Sequence, residues 1–152
     1  MRPLALCIGL MMIASCYAFK MASMENYFET EQNTISEESL KLKETLDARL
    51  PVKSDALAGI VFRHQINFPG FSSPIFIIGD DPVSKLWLSE HMEELRQLHA
   101  LGFITNIKRA DTLDELQTKS GLALLPANVD DLMAVLGTNH YPLIVNEGVV
   151  WQ

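Results

Sequence analysis

The sequence has few cysteines, and both of them lie near its start. Cys7 and Cys16 are the two cysteines among 152 residues. A chain that begins after Ala18 therefore has no thiol, which excludes a disulfide, a cysteine nucleophile and a CxxC redox pair from it. Its stability has to come from a hydrophobic core, and the remaining length is sufficient to form one.

A cluster of lysine and arginine is also missing. The chain has 12 basic and 19 acidic residues, which give a net charge of −7. Proteins that hold nucleic acid neutralise its phosphates with grouped basic side chains, so we expect no direct nucleic-acid partner. Hydrophobic residues make up 48% of the chain and charged residues 20%, which indicates a globular protein rather than a disordered one.

Recognisable catalytic and cofactor motifs are absent as well. No serine has the sequence setting of a nucleophile elbow, and Gly79 alone does not make a phosphate-binding loop. His91 and His99 are eight residues apart on a predicted helix, which is about 12 Å and too far to share one metal ion. We therefore expect no catalytic residue, no cofactor and no metal, and interpret the chain as a protein that is not an enzyme.

The first eighteen residues have the pattern of a secretory signal. Arg2 precedes a run of apolar residues, and small residues near its end suit cleavage between Ala18 and Phe19. Two alternatives stay open. Residues 13–16 resemble a bacterial lipoprotein box, in which Cys16 would be lipidated, or the apolar run could remain as an anchor, although it is at or below the roughly 17–25 residues that span a bilayer. All three interpretations predict export, and we expect the protein in the periplasm.

The pattern along the chain predicts three parts: a signal peptide over residues 1–18, a polar leader with an amphipathic helix over residues 19–55, and an α/β domain over residues 56–152. The amphipathic helix is predicted over residues 36–50, because leucines recur on one face, and Pro51 ends it.

In the α/β domain, short apolar runs alternate with segments of helical periodicity. Strands are predicted over residues 56–62, 74–78, 103–107, 122–125 and 143–145, with a hairpin partner over 149–151. A long helix is predicted over residues 83–100 with Gly102 as its stop, followed by a short helix capped by Asp111 or Thr112 and another over 129–136. This alternation predicts right-handed crossovers and a mostly parallel sheet with an antiparallel edge.

Two segments fall where the predicted strands meet loops. Asp80 and Asp81 follow a buried strand, and paired carboxylates there could bind a metal or act as acid and base. The alternative is that one of them caps the next helix, with Pro82 in its first turn. Tyr141 and Pro142 precede a later strand, where proline indicates a rigid turn with a cis bond as one option.

We interpret the two segments as one candidate protein-binding surface, in which Tyr141 would be the aromatic anchor. Its members are Asp80, Asp81, Pro82, Ser84, Lys85, His140, Tyr141 and Pro142.

Several segments read together resemble a known family. They are residues 74–84 with Trp87 and Leu88, residues 95–96 with 100–102, residues 130–132, and residues 140–145 through Gly148 to Gln152. They resemble the uncharacterised integrating conjugative element proteins, which are encoded in mobile elements beside type IV secretion genes. The resemblance spans about residues 73–152. It implies an exported component of a DNA-transfer apparatus whose partners are other proteins of that machine, and it supplies no catalytic residues.

The order of elements is also similar to a thioredoxin-like domain. Asp81 and Ser84 stand where thioredoxins carry two cysteines, Lys85 follows them, and Pro142 matches the cis proline of that fold. Because both thiols are replaced, redox activity is not carried over. Some F-type pilus-assembly proteins are thought to use similar redox-dead domains, so this resemblance implies an adaptor.

The fold predicted from these patterns is α/β, with a thioredoxin-like central sheet, mostly parallel with an antiparallel edge hairpin, flanked by helices and preceded by an N-terminal helix. The predicted function is a non-enzymatic adaptor or assembly factor of a conjugative type IV secretion system. The alternatives are a periplasmic metal-dependent hydrolase that uses Asp80 and Asp81, and a lipoprotein scaffold tethered to the membrane through Cys16.

Overall fold

A computed structural model of the chain describes residues 37–67 and 73–152. The predicted signal segment with Cys16 and the polar leader before the predicted amphipathic helix lie outside these ranges. Contacts divide the chain into two units between Glu44 and Thr45. Within the described ranges, no helix has the length and apolar character needed to cross a bilayer.

The predicted N-terminal helix is present over residues 37–47 and is called α1. The described part of this helix includes the acidic residues Glu37 and Glu38. A short turn follows at residues 48–49, and the peptide bond between Leu50 and Pro51 is cis.

The rest of the chain is a mixed α/β unit, as predicted. Its strands are β1 (Leu57–Ala58), β2 (His64–Gln65), β3 (Ile75–Gly79), β4 (Leu101–Thr105), β5 (Leu124–Pro126), β6 (His140–Tyr141), β7 (Leu143–Asn146) and β8 (Val149–Trp151). Its helices are α2 (Pro82–Gln97), α3 (Ala110–Ser120) and α4 (Asp130–Leu136).

The main sheet has six strands in the order β2-β8-β7-β3-β4-β5. Strands β3, β4 and β5 run parallel, whereas β7 is antiparallel to β3, and β8 is antiparallel to both β7 and β2. The sheet is therefore mixed, and the prediction that it is mostly parallel is wrong. A parallel crossover needs a connection that returns the chain along the whole strand. The seven residues of α4 cover only about 10 Å. The chain is therefore not returned to the amino end of β3: β7 starts beside the carboxyl end of β3 and runs antiparallel to it.

The core lies on both faces of this sheet. Strand β3 is buried at every position, and its side chains alternate between the two faces. Phe76 and Ile78 pack in a cluster with buried side chains of α2 and α3, whereas Ile75 and Ile77 pack in a second cluster with buried side chains of α4. Burial on both faces explains why residues 75–78 form a continuous apolar run.

Helix α2 ends earlier than predicted, and Gly102 is not its stop. The helix ends at Gln97, and Gly102 lies inside β4. A Cβ atom at Gly102 would lie 2.4 Å from Cζ of Phe76 and 2.7 Å from Cδ2 of Leu124. Glycine is therefore needed there because two neighbouring side chains approach the strand closely.

The predicted cap of α3 is also wrong. Neither Asp111 nor Thr112 is the capping residue, because the helix starts at Ala110 after Arg109, which makes no side-chain capping bond. Asp111 lies instead in the first turn, where it pairs with Arg109 at 2.8 Å.

Candidate functional site

The acidic loop between β3 and α2 is a helix cap. Oδ1 of Asp81 accepts a hydrogen bond from the backbone N–H of Ser84 at 2.9 Å, and Oδ2 accepts one from the Ser84 hydroxyl at 2.8 Å. The same hydroxyl oxygen accepts from the N–H of Gly79 at 2.9 Å, and Pro82 occupies the first turn. The structure therefore supports the second interpretation of this loop, in which Asp81 caps the start of α2.

Asp80 is engaged in an ion pair. Its Oδ1 lies 2.6 Å from Nζ of Lys85, and the two side chains are 21% and 44% exposed. Within the described part of the chain, that oxygen accepts no aligned hydrogen bond, so the ion pair alone balances its charge. Such a partly solvated pair contributes at most about 1 kcal/mol to stability.

Three members of the candidate surface are in the interior. Ser84 is fully buried and Tyr141 is 4% exposed, so neither side chain is available to a partner. Tyr141 is therefore not an exposed anchor: a Cβ atom at Gly79 would lie 2.4 Å from its ring. Pro142, whose peptide bond with Tyr141 is cis, is buried too. The surface that remains consists of Pro82, Lys85, the partly exposed Asp80 and Asp81, and the exposed His140.

A polar network that the sequence analysis did not single out lies at the same edge of the sheet. Asn106, directly after β4, donates from Nδ2 to Oη of Tyr141 at 3.0 Å and to the carbonyl oxygen of Ala56 at 2.9 Å. Its Oδ1 accepts from the N–H of Ser54 at 2.9 Å, and the Ser54 and Thr105 hydroxyls lie 2.6 Å apart. The signal in the sequence is weak: Asn106 is one polar residue directly after the apolar run of β4.

Burial favours the neutral form of Tyr141. Burial raises the pKa of the phenol, the nearby charge of Asp81 raises it further, and the hydrogen bond from Asn106 opposes both effects. The hydroxyl is therefore protonated at neutral pH and cannot serve as a general base. In the described residues, no group of three or more acidic, histidine or cysteine side chains could hold a metal ion.

A groove lies between the β1 segment and α2, and Pro142, the residue after Tyr141, is part of its lining. Its volume is about 440 Å³, and we call it the edge groove. It is lined chiefly by Ala58, Ile60, Val83, Leu86, Trp87 and Pro142, with Glu90 and His91 at α2. Most of its lining is apolar, in contrast to the hydrogen-bonded interior beside it.

Large apolar side chains are exposed at this edge. Ile60 is 71% exposed, Leu86 61% and Val83 52%, and Leu57 and Phe62 are exposed nearby on the same extended segment. Leu86 and Val83 are both on the exposed side of α2. Grouped exposed apolar side chains of this kind mark interaction sites more often than single ones do.

Comparison with family models finds one that matches residues 11–150, and its description is "Protein of unknown function (DUF2859)". No curated protein and no solved structure matches the chain.

Proposed function

The chain belongs to the DUF2859 family, and we propose that it acts as an exported, non-enzymatic adaptor or assembly factor of a conjugative type IV secretion system. Its place in that machine is supported by the resemblance of residues 73–152 to integrating conjugative element proteins. In this proposal the protein works in the periplasm, binds other proteins of the machine, and makes no direct contact with nucleic acid.

The observation that favours binding over catalysis is the contrast between the polar and apolar groups at one edge of the sheet. The polar side chains there are engaged with the backbone: Asp81 and Ser84 accept from N–H groups within the acidic loop, and Asn106 accepts from the N–H of Ser54. The apolar side chains of Ile60 and Leu86, in contrast, are mostly exposed beside them. A site built in this way offers a partner apolar area to cover, with rigid elements behind it.

A thioredoxin-like identity of the sheet is part of the same proposal. Its support is the succession of β3, the acidic loop and α2, then the parallel strand β4, and later Pro142 before the antiparallel hairpin of β7 and β8. Asp81 and Ser84 would stand where the two thiols are found in thioredoxins. Such a domain would present a binding edge without redox chemistry.

The hydrolase alternative has less support from the structure, and the lipoprotein alternative can be distinguished from the leading proposal by experiment. A hydrolase that used Asp80 and Asp81 would have to release both carboxylates from a salt bridge and a helix cap. A lipoprotein scaffold differs from the leading proposal only in its anchor, and the intact mass of the purified protein distinguishes the two. Acylation at Cys16 adds hydrocarbon mass that a chain cut before Phe19 does not retain.

The experiment that tests the proposal is the transfer frequency of the mobile element from a donor with an in-frame deletion, with and without a complementing wild-type copy. We expect a large loss of transfer that the complementing copy restores. Unchanged transfer in the deletion strain would contradict a required role in the machine. Normal donor growth in both strains is the control for a general envelope defect.

A further inference from the structure

One edge of strand β1 has no partner strand. The N–H groups of Leu57 and Gly59 donate to the carbonyl oxygens of Asn139 and Tyr141, each at 2.9 Å. Because backbone groups alternate sides along a strand, those of Ala58 and Ile60 face the opposite edge. Within the described residues, β1 pairs only with β6, so this outer edge is open and borders the edge groove.

The inner edge, in contrast, is fixed by the end of the chain. Gln152 donates from Nε2 to the carbonyl oxygen of Gly59 at 2.8 Å, and its Oε1 accepts from the N–H of Val61 at 3.4 Å. The segment is thus bound along the side that faces β6. Its open edge is held in an extended form, which lowers the entropy that a pairing strand would have to overcome.

The wall of the groove contains a buried hydrogen-bond donor without an acceptor. Trp87 is 6% exposed and lines the groove, and its Nε1 has no hydrogen-bond partner among the described residues. The ring of His91 stacks on the indole at 4.6 Å between centroids, and Nδ1 of His91 lies 2.9 Å from the carbonyl oxygen of Trp87. A buried donor left unpaired is destabilising, so this wall of the groove is a locally strained part of the core.

The charge at the groove has one sign. Glu90 lines the groove and is exposed, and within the described residues it forms no ion pair. The whole chain is acidic, with a net charge of −7. A segment that carries lysine or arginine would therefore be attracted to this wall, and an acidic segment would be repelled.

From these features we infer that the edge groove binds an extended, basic and apolar segment of a partner protein by strand addition to β1. The segment pairs with the backbone of Ala58 and Ile60 and packs alternate apolar side chains on Val83 and Leu86. The segment also covers the part of Trp87 that lines the groove, and one of its lysines or arginines meets Glu90. This inference rests on the proposed adaptor function and specifies the partner that the function requires.

The test uses the purified full-length chain and a phage-displayed library of random decapeptides. We expect the enriched peptides to alternate apolar residues and to contain lysine or arginine. For a fluorescein-labelled synthetic copy of the most enriched peptide, the Leu86→Glu and Ile60→Glu substitutions should each raise Kd by about tenfold or more. Val135→Glu is the matched control, because Val135 is 46% exposed on α4 outside the groove, and it should leave Kd within about twofold.

Two further measurements examine the geometry. Two N-methylated peptides should be compared, one methylated at the odd-numbered and one at the even-numbered peptide bonds. Only one of them should lose binding, because strand addition uses the backbone N–H groups on one edge of the peptide. In a Trp151→Phe background, binding should change the emission of Trp87, the remaining tryptophan. All three glutamate substitutions are at exposed positions, so each variant should keep the unfolding midpoint of the wild type.

Three outcomes would overturn the inference: no enriched peptide, binding that survives both groove substitutions, or a wild-type dimer that Leu86→Glu converts to monomer, which would make a second copy the occupant. These failures are distinguishable from failure of the proposed function. If deletion abolishes transfer while peptide binding ignores the groove, the function stands and the groove assignment falls. If peptides bind the groove as expected but deletion leaves transfer unchanged, the groove assignment stands and the proposed function falls.

Discussion

Nδ2 of Asn106 donates a hydrogen bond to Oη of Tyr141 over 3.0 Å and joins residues that are 35 positions apart in the chain. This bond ties the residue that follows β4 to β6. It also explains why a tyrosine that looked like a surface anchor lies in the interior: its ring packs at the end of β3, and its hydroxyl has an internal partner.

The first prediction concerns this tyrosine. Tyr141→Ala should lower the free energy of unfolding by about 3–5 kcal/mol, because it leaves a cavity where a buried ring was packed. Tyr141→Phe keeps the ring, loses the bond from Asn106, and should lower it by only about 1 kcal/mol. Urea unfolding of the two variants measures the difference. A Tyr141→Ala variant as stable as the wild type would show that the ring is not packed as described.

The second prediction concerns the acidic loop. Asp81→Ala should destabilise the protein by about 1–2 kcal/mol, since it removes the acceptor for two groups of Ser84 at the start of α2. Asp80→Ala is the matched control and should cost no more than about 1 kcal/mol. Thermal unfolding with and without added Mg²⁺ or Zn²⁺ completes the test. A rise in Tm with metal that requires both aspartates would favour the hydrolase over the cap.

The third prediction concerns Gly102. Gly102→Ala should destabilise the protein by about 1–3 kcal/mol, because the new methyl group would overlap Phe76 and Leu124 unless β4 shifts. Chemical unfolding measures this loss. Phe76→Leu combined with Gly102→Ala should recover part of it by removing the ring atom nearest to the methyl group. A neutral Gly102→Ala substitution would contradict the close packing of β3, β4 and β5.

The fourth prediction concerns pH. Nδ1 of His64 lies 2.8 Å from the carbonyl oxygen of Phe62, and Nε2 lies 2.7 Å from that of Leu136, at the end of α4. The bond to Phe62 and then the bond to Leu136 raise the pKa of His64, against a smaller effect of burial. Both nitrogens can donate only in the charged ring. His64 lines a second groove, which is distinct from the edge groove, and His140 is the other titratable side chain in the lining of that second groove.

Because the pKa of His64 is higher in the folded state, its contribution to stability is complete below the unfolded value of 6.5 and is lost as pH rises through the folded value. The stability difference between the wild type and His64→Gln should therefore be larger at about pH 6 than at about pH 9. Urea unfolding at both values measures it. His140→Gln, as the control, should leave the pH dependence of the wild type in place.

The sequence was sufficient to predict most helices and strands but not the direction of all strands. The apolar run at residues 75–78 and the periodicity of α2 reflect burial, which is local in sequence and leaves a pattern. The direction of β7 depends instead on where α4 delivers the chain, and no residue pattern records that. Gly102 was misread for the same reason: its role depends on Phe76, a residue of the neighbouring strand.

Two segments were predicted from the sequence to lie next to each other, and they do so in the structure. The acidic loop and the turn before β7 do come together at one edge, because both lie at the carboxyl end of β3. What could not be predicted is which side chains face inward there. Tyr141 was expected outside and is buried, whereas the apolar side chain of Leu86 is exposed. Asn106 was overlooked because one polar residue after a strand has no distinctive spacing.

The adaptor role at this edge is tested most directly by transfer frequency from the deletion donor complemented with groove variants. A copy carrying Leu86→Glu should restore transfer poorly, by about tenfold or more below the wild-type copy, whereas Val135→Glu should restore it fully. Immunoblots of equal intensity show that both variants accumulate. Full restoration by Leu86→Glu, in a donor whose transfer depends on the protein, would contradict the role of this edge in partner binding.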